Sequence, residues 1–348
     1  MALQEWPIAD APHGRAGRCM LARPDTARAR ISAAAALVRT HAAPPFTDAD
    51  RARVPAIIEA LVEAIERDLR LLILPRLDGA TVPELSASLG SAAVPIAAGR
   101  VLQELPLHPG LLAAALARAE MHRMGAGAEA SPPALAGPAA AERMSLLLAE
   151  QGRRDRFDEP VLELDDLAAE AAHDLVWSVA AALRVYLHDT GLPPAEADRL
   201  AVDAARGRLA RYDEAGGLTA TATRLAQALG ACSALDDATV STLLRGGELH
   251  ALHAVLAYRA GLPAQAAWGL LAEAGEGRLA LLLRAAGVGR DVAARALLRF
   301  LAPGDDPALE LDRFDRCSED EARGGLAVLA HDPVYSGALR RLGQGAWR

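Results

Sequence analysis

The chain contains no lysine and no asparagine; all 37 of its basic residues are arginines. Without lysine there is no Schiff-base nucleophile and no phosphate-loop lysine. Without asparagine there is no asparagine-bearing kinase catalytic loop and no cysteine–histidine–asparagine protease triad. Arginine stays charged in proteins, so histidine is the one basic side chain here that can exchange a proton near neutral pH. Lysine and asparagine codons are AT-rich, and a GC-rich genome accounts for both absences.

Aromatic residues are also scarce, at 3% against 52% apolar residues overall. The core must therefore be aliphatic, and β-branched and aromatic residues are too few for an extensive sheet. Cysteine is limited to Cys19, Cys232 and Cys317, an odd and widely spaced set that fits a reducing compartment and excludes a disulfide framework. No apolar run is long enough to span a bilayer, and the N-terminus lacks the apolar core of a signal peptide. A soluble, cytoplasmic protein without membrane insertion is expected. A net charge of −8 argues against nucleic acid as a partner. The densest basic patch, Arg153, Arg154 and Arg156, reads as a solvated linker.

What is present is mostly alanine, leucine and arginine, all strong helix formers. The expected fold is all-α: helical hairpins stacked as an irregular HEAT-like solenoid or bundle in two subdomains. Residues 1–23 read as irregular, 24–124 as an N-terminal helical subdomain, 125–160 as a linker region with a short helix at 139–151, and 161–348 as a C-terminal helical-repeat domain. Within the N-terminal part a helix is expected from Asp25 to His41. A second carries Ile57, Ile58, Leu61, Val62, Ile65, Leu69 and Leu72 as a buried stripe. Pro55 should kink or restart that helix, and Glu66 with Arg70 should pair on its outer face. A capping box at Thr81 and Glu84 opens a short helix closed near Gly90, and further helices are expected at 93–105 and 110–124.

In the second half a long helix from Leu164 to Asp189 is expected, with Leu164, Leu167, Ala171, Leu175, Val179, Ala182 and Tyr186 on one face. Gly191-Leu192-Pro193 ends it and recurs as Gly261-Leu262-Pro263. The same 70-residue offset relates Gly207-Arg208-Leu209-Ala210 to Gly277-Arg278-Leu279-Ala280, which suggests a duplicated helix pair. Asp306-Pro307, the box Ser318 to Glu321, and Asp332-Pro333 announce later helices.

Chemistry-bearing candidates are few. His250 and His253 lie three apart on a predicted 247–260 helix and could share a metal with Cys232 or Glu248. The leucines around His253 favour a helix-interface role instead. His173, followed by Asp174, is a candidate phosphoacceptor, although its neighbour Trp177 suggests a packed face. Trp177, Tyr258 and Trp268 are candidate anchors for a partner if exposed, and gap fillers if buried. Gly287-Val-Gly289 and Gly275-Glu-Gly277 follow no predicted strand and read as turns. No nucleophile elbow, zinc-protease motif or phosphate loop is present. The expectation is a non-enzymatic protein without a cofactor that binds a protein partner or a second copy of itself. The alternatives are a signalling component using His173 and a metal or ligand site at His250 and His253.

The run LLRGGELHALHAVLAYRAGLPAQAAWGLLAEAGEGRLALLLRAAGV follows a recognisable order: leucine-rich helix, Gly-Glu-Leu step, alanine-rich helix, Gly-Leu-Pro turn, small-residue helix and leucine-rich helix. It resembles the C-terminal core of an alphaproteobacterial family called domain of unknown function 2336. The segments FTDADRARVPAIIEALVEAIERDLR and HPGLLAAALARAEMHRM resemble that family's earlier helices. The resemblance implies an all-helical fold with HEAT-like repeats in a bacterial cytoplasmic protein. Its motifs are structural, and it assigns no activity to any residue.

Overall fold

The structure is a computed structural model that describes residues 48–77, 83–91, 95–125, 137–156 and 159–331, with residues 30, 34, 135 and 335. It is all-α. The described residues form α1 (Asp48–Ile73), α2 (Pro83–Gly90), α3 (Ala98–Glu104), α4 (Pro109–Gly125) and α5 (Pro138–Arg154). A two-residue antiparallel pair, β1 (Asp155–Arg156) and β2 (Glu159–Pro160), follows. Then come α6 (Ala169–Asp189), α7 (Pro194–Leu209), α8 (Leu218–Ala231), α9 (Asp237–Gly246) and α10 (Leu249–Ala260). The chain continues as α11 (Ala264–Ala272), α12 (Arg278–Ala285), α13 (Arg290–Phe300), α14 (Pro307–Arg316) and α15 (Glu319–Leu326). The segment 1–23, most of the expected 25–41 helix, Thr81 and Asp332-Pro333 lie outside the described residues.

These helices form two compact units. The first is drawn from residues 28–123 and 148–220, and the described residues of the second fall within 124–147 and 221–348. This grouping differs from a division at 125–160. The reason is hydrophobic: the hairpin α6–α7 carries an apolar stripe that needs a partner, and it finds one in α1.

In the first unit Ile57, Ile58, Leu61, Val62, Ile65 and Leu69 of α1 are all buried, and Ile73 rather than Leu72 continues the stripe. The helix runs through Pro55 without restarting. Proline there forfeits one backbone hydrogen bond and costs about 3 kcal/mol. Burial of Val54, Ile57 and Ile58 around it supplies more than that, at about 1.5–3 kcal/mol for each large side chain. Across from α1, α6 buries Ala171, Leu175, Val179 and Ala182 of the expected face and adds Leu183 and Leu187, while Tyr186 is only partly buried.

The expected long helix at 164–189 is broken near its start. Leu164–Asp166 forms a single 3₁₀ turn, and α6 begins at Ala169. The two aspartates of that turn are already committed. Asp165 accepts from the Asp213 N–H, while Asp166 accepts from the N–H groups of Glu163 and Leu218. The chain also passes so close to Gly217 that a Cβ there would lie 2.4 Å from the Asp165 carbonyl oxygen. Gly217 has an ordinary negative φ of −68°, so the constraint is space alone. Gly217→Ala is expected to destabilise the first unit by about 1–3 kcal/mol in urea denaturation, the usual cost of overpacking.

The Glu66–Arg70 pair is not on an outer face. Glu66 is 2% and Arg70 5% exposed. The Glu66 carboxylate accepts from the N–H groups of Ile96, Ala97 and Ala98 at 2.7, 2.8 and 3.1 Å, which caps the N-terminus of α3. Arg70 pairs with Glu66 and donates to the Ser91 carbonyl just past α2.

The same device recurs in the second unit. Asp237 accepts from the Gly289 N–H at the start of α13, and Glu310 accepts from the Gly277 N–H at the start of α12. Arginines take the opposite ends: Arg259 donates to the Gly287 carbonyl, Arg284 to Cys317 and Arg323 to Ala285. Helix ends leave unpaired N–H and C=O groups and a partial charge of the matching sign. Acidic and guanidinium side chains from other helices satisfy both here. Local caps operate as expected at Asp306 and at the Ser318–Glu321 box.

The 70-residue offset holds at the turns and then fails. Gly191 and Gly261 both take positive φ, and Leu192 and Leu262 donate back to Leu187 and Ala257 in the same pattern. Pro193 and Pro263 then precede α7 and α11 equivalently. But Gly207 lies inside the last turns of α7, whereas Gly277 is the left-handed residue that opens α12. The second match joins positions that are structurally different, because α11 is 9 residues long and α7 is 16.

Candidate interaction surface

The basic patch at 153–156 is the largest departure from the sequence reading. Arg154 ends α5 and is fully buried. Its Nε donates to Asp166 at 2.8 Å, Nη1 pairs with Glu150, and Nη2 lies 3.1 Å from Glu163. Burial works against its charge, but the surrounding carboxylates outweigh that and hold its pKa above the ordinary arginine value. Arg118 of α4 adds a second buried guanidinium, donating to the carbonyls of Arg154 and Val161 and to Asp155. Here burial wins, and the Arg118 pKa falls below the ordinary arginine value despite Asp155. This cluster ties residues 150–166 together and to α4 through buried guanidinium groups.

The histidine pair on α10 is also buried, at 8% for His250 and 4% for His253. His253 Nε2–H donates to the Ala264 carbonyl at the start of α11, and its ring meets Trp268 edge-on at 5.8 Å. Desolvation lowers its pKa, partly offset by the Ala264 bond. The neutral ring therefore spends Nε2 on tying α10 to α11. Glu248, at the N-cap of α10, has its pKa raised by burial. Among the described residues no group of three or more histidine, cysteine, aspartate or glutamate side chains is placed to hold a metal ion.

His173 is exposed on α6, so it borders Trp177 without being packed away. Trp177 Nε1–H donates to His173 Nε2 at 3.0 Å, which occupies that nitrogen's lone pair. The exposed Glu170 and Asp174 flank it on the same helix and would repel a phosphoryl group.

The three aromatic candidates separate by burial. Trp268 is a core residue at 9% exposure, and Trp177 is half-buried against the first unit's core. Tyr258 is 48% exposed. Its ring lies over Gly230 of α8, where an added Cβ would sit 3.0 Å away. The lack of a side chain at Gly230 leaves room for the hydroxyl end of this ring.

Tyr258 has company. Of seven large hydrophobic side chains exposed among the described residues, six lie in the second unit: Leu146, Tyr258, Leu298, Leu309, Val328 and Tyr335. Leu71 on α1 is the seventh. Leu298 of α13 is the most exposed at 70%, and Leu309 lies in the first turn of the next helix. Only periodicity could have flagged these residues, and single leucines on short helices do not stand out.

A family model described as "Uncharacterised protein conserved in bacteria (DUF2336)" matches residues 138–327, more than half of the chain. The chain belongs to this family. No curated protein and no solved structure matches it. The DUF2336 match opens at the first residue of α5 and closes just beyond α15, so it includes Arg154 with Glu150, Glu163 and Asp166, but not Arg118, and the exposed residues of α13 and α14. It leaves out α1–α4, yet α1 is what covers α6 and α7. A fragment beginning at Pro138 is therefore expected to lose hydrogen-exchange protection throughout α6 and α7, read by mass spectrometry. Protection equal to that of the full chain would show that the DUF2336 segment buries this hairpin by itself.

Among the described residues, no helix is long and apolar enough to cross a membrane.

Proposed function

We propose that this DUF2336 protein is a non-enzymatic helical-repeat scaffold of the cytoplasm, built of HEAT-like hairpins, whose second unit holds a protein partner or a second copy of the chain. The observation that carries this reading is the gathering of exposed apolar side chains into that unit. Isolated exposed leucines are ordinary on soluble proteins. Six of the seven large hydrophobic side chains exposed among the described residues fall in this one unit, which is why the partner is placed there.

The test combines light scattering on the purified protein with affinity purification from its native host, for the wild type and for Leu298→Asp/Leu309→Asp. Both leucines are exposed, so the substitutions should leave the melting temperature nearly unchanged. The expected result is a partner or self-association that the double variant loses by at least tenfold in affinity. A monomer that recovers nothing above background, or binding that the double variant retains in full, would overturn the proposal.

A further inference from the structure

We draw no further inference here: the strongest candidate, the pair of exposed leucines Leu298 and Leu309 on the consecutive helices α13 and α14, belongs to the surface already described, and nothing in the structure shows what covers it.

Discussion

Arg154→Met is expected to destabilise the first unit by about 3–5 kcal/mol, the usual cost of stranding the partners of a buried ion pair. The methionine fills much of the volume but supplies no charge to the carboxylates around it. Asp166 suffers most, because its side chain is only 6% exposed and faces the Arg154 Nε directly. It keeps its bonds from the N–H groups of Glu163 and Leu218 but loses its countercharge. Adding Asp166→Asn to the same background removes the stranded charge and should recover part of the loss. Urea denaturation of the three proteins reads both effects. A loss below about 1 kcal/mol in the single variant would mean that the cluster contributes no more than a surface pair.

The same cluster carries a pH dependence. Burial pushes the Glu150 pKa up, but hydrogen bonds from Arg154 and Arg153 outweigh it, so the net shift is downward. A carboxylate whose folded pKa lies below its unfolded value stabilises the fold above the unfolded value. That contribution disappears as pH falls through the folded one. Wild-type stability should therefore drop as pH falls below the ordinary glutamate range near about 4.3. Arg154→Met should flatten that part of the profile.

Glu66→Ala is expected to cost a similar amount, about 3–5 kcal/mol, through the same stranding of a buried charge. Arg70 loses its ion-pair partner while remaining beneath the surface, and three N–H groups at the start of α3 lose their acceptor. Each orphaned buried donor is worth about 1–3 kcal/mol unless water reaches it. Glu66→Gln separates the two contributions. The single amide oxygen can keep the bonds from Ala97 and Ala98, but the Ile96 N–H and Arg70 lose the second carboxylate oxygen and its charge. The glutamine variant should therefore fall between wild type and alanine in urea. Equal losses for the two variants would assign the effect to the Oε1 side, the Arg70 pair and the Ile96 bond, and a wild-type-like glutamine would assign it to the bonds from Ala97 and Ala98.

Both predictions concern residues that were easy to see in the sequence and hard to place. Glu66 and Arg70 are four apart on an amphipathic helix, a spacing that normally marks a solvated pair. Nothing local shows that the backbone of residues 96–98 will arrive over Glu66. Arg154 lies among arginines and acids that compose like a linker. Its burial depends on Asp166 and Glu163 returning to it from beyond β2. The α1 stripe, the Gly191 and Gly261 turns, and the caps at Asp306 and Ser318 were legible because each is set by residues within one or two helical turns. The candidate surface was legible only in part. Tyr258 was singled out as an aromatic, but neither its exposure nor its close approach to Gly230 could be read from spacing. Leu298 and Leu309 carried no signal at all.

For this protein, then, composition and periodicity by themselves determined an all-helical chain with aliphatic interfaces, because helix propensity and apolar spacing are local properties. The missing asparagine removed one common capping residue and the missing lysine one of the two usual cations. Tertiary structure alone decided how the gap was filled. Carboxylates from distant helices bind helix N-termini and arginines bind C-termini, since the partner of each charge is fixed by where another segment ends. The grouping of residues 28–123 with 148–220 was decided at the same level, because a stripe on one helix says that it must be covered but not by which helix.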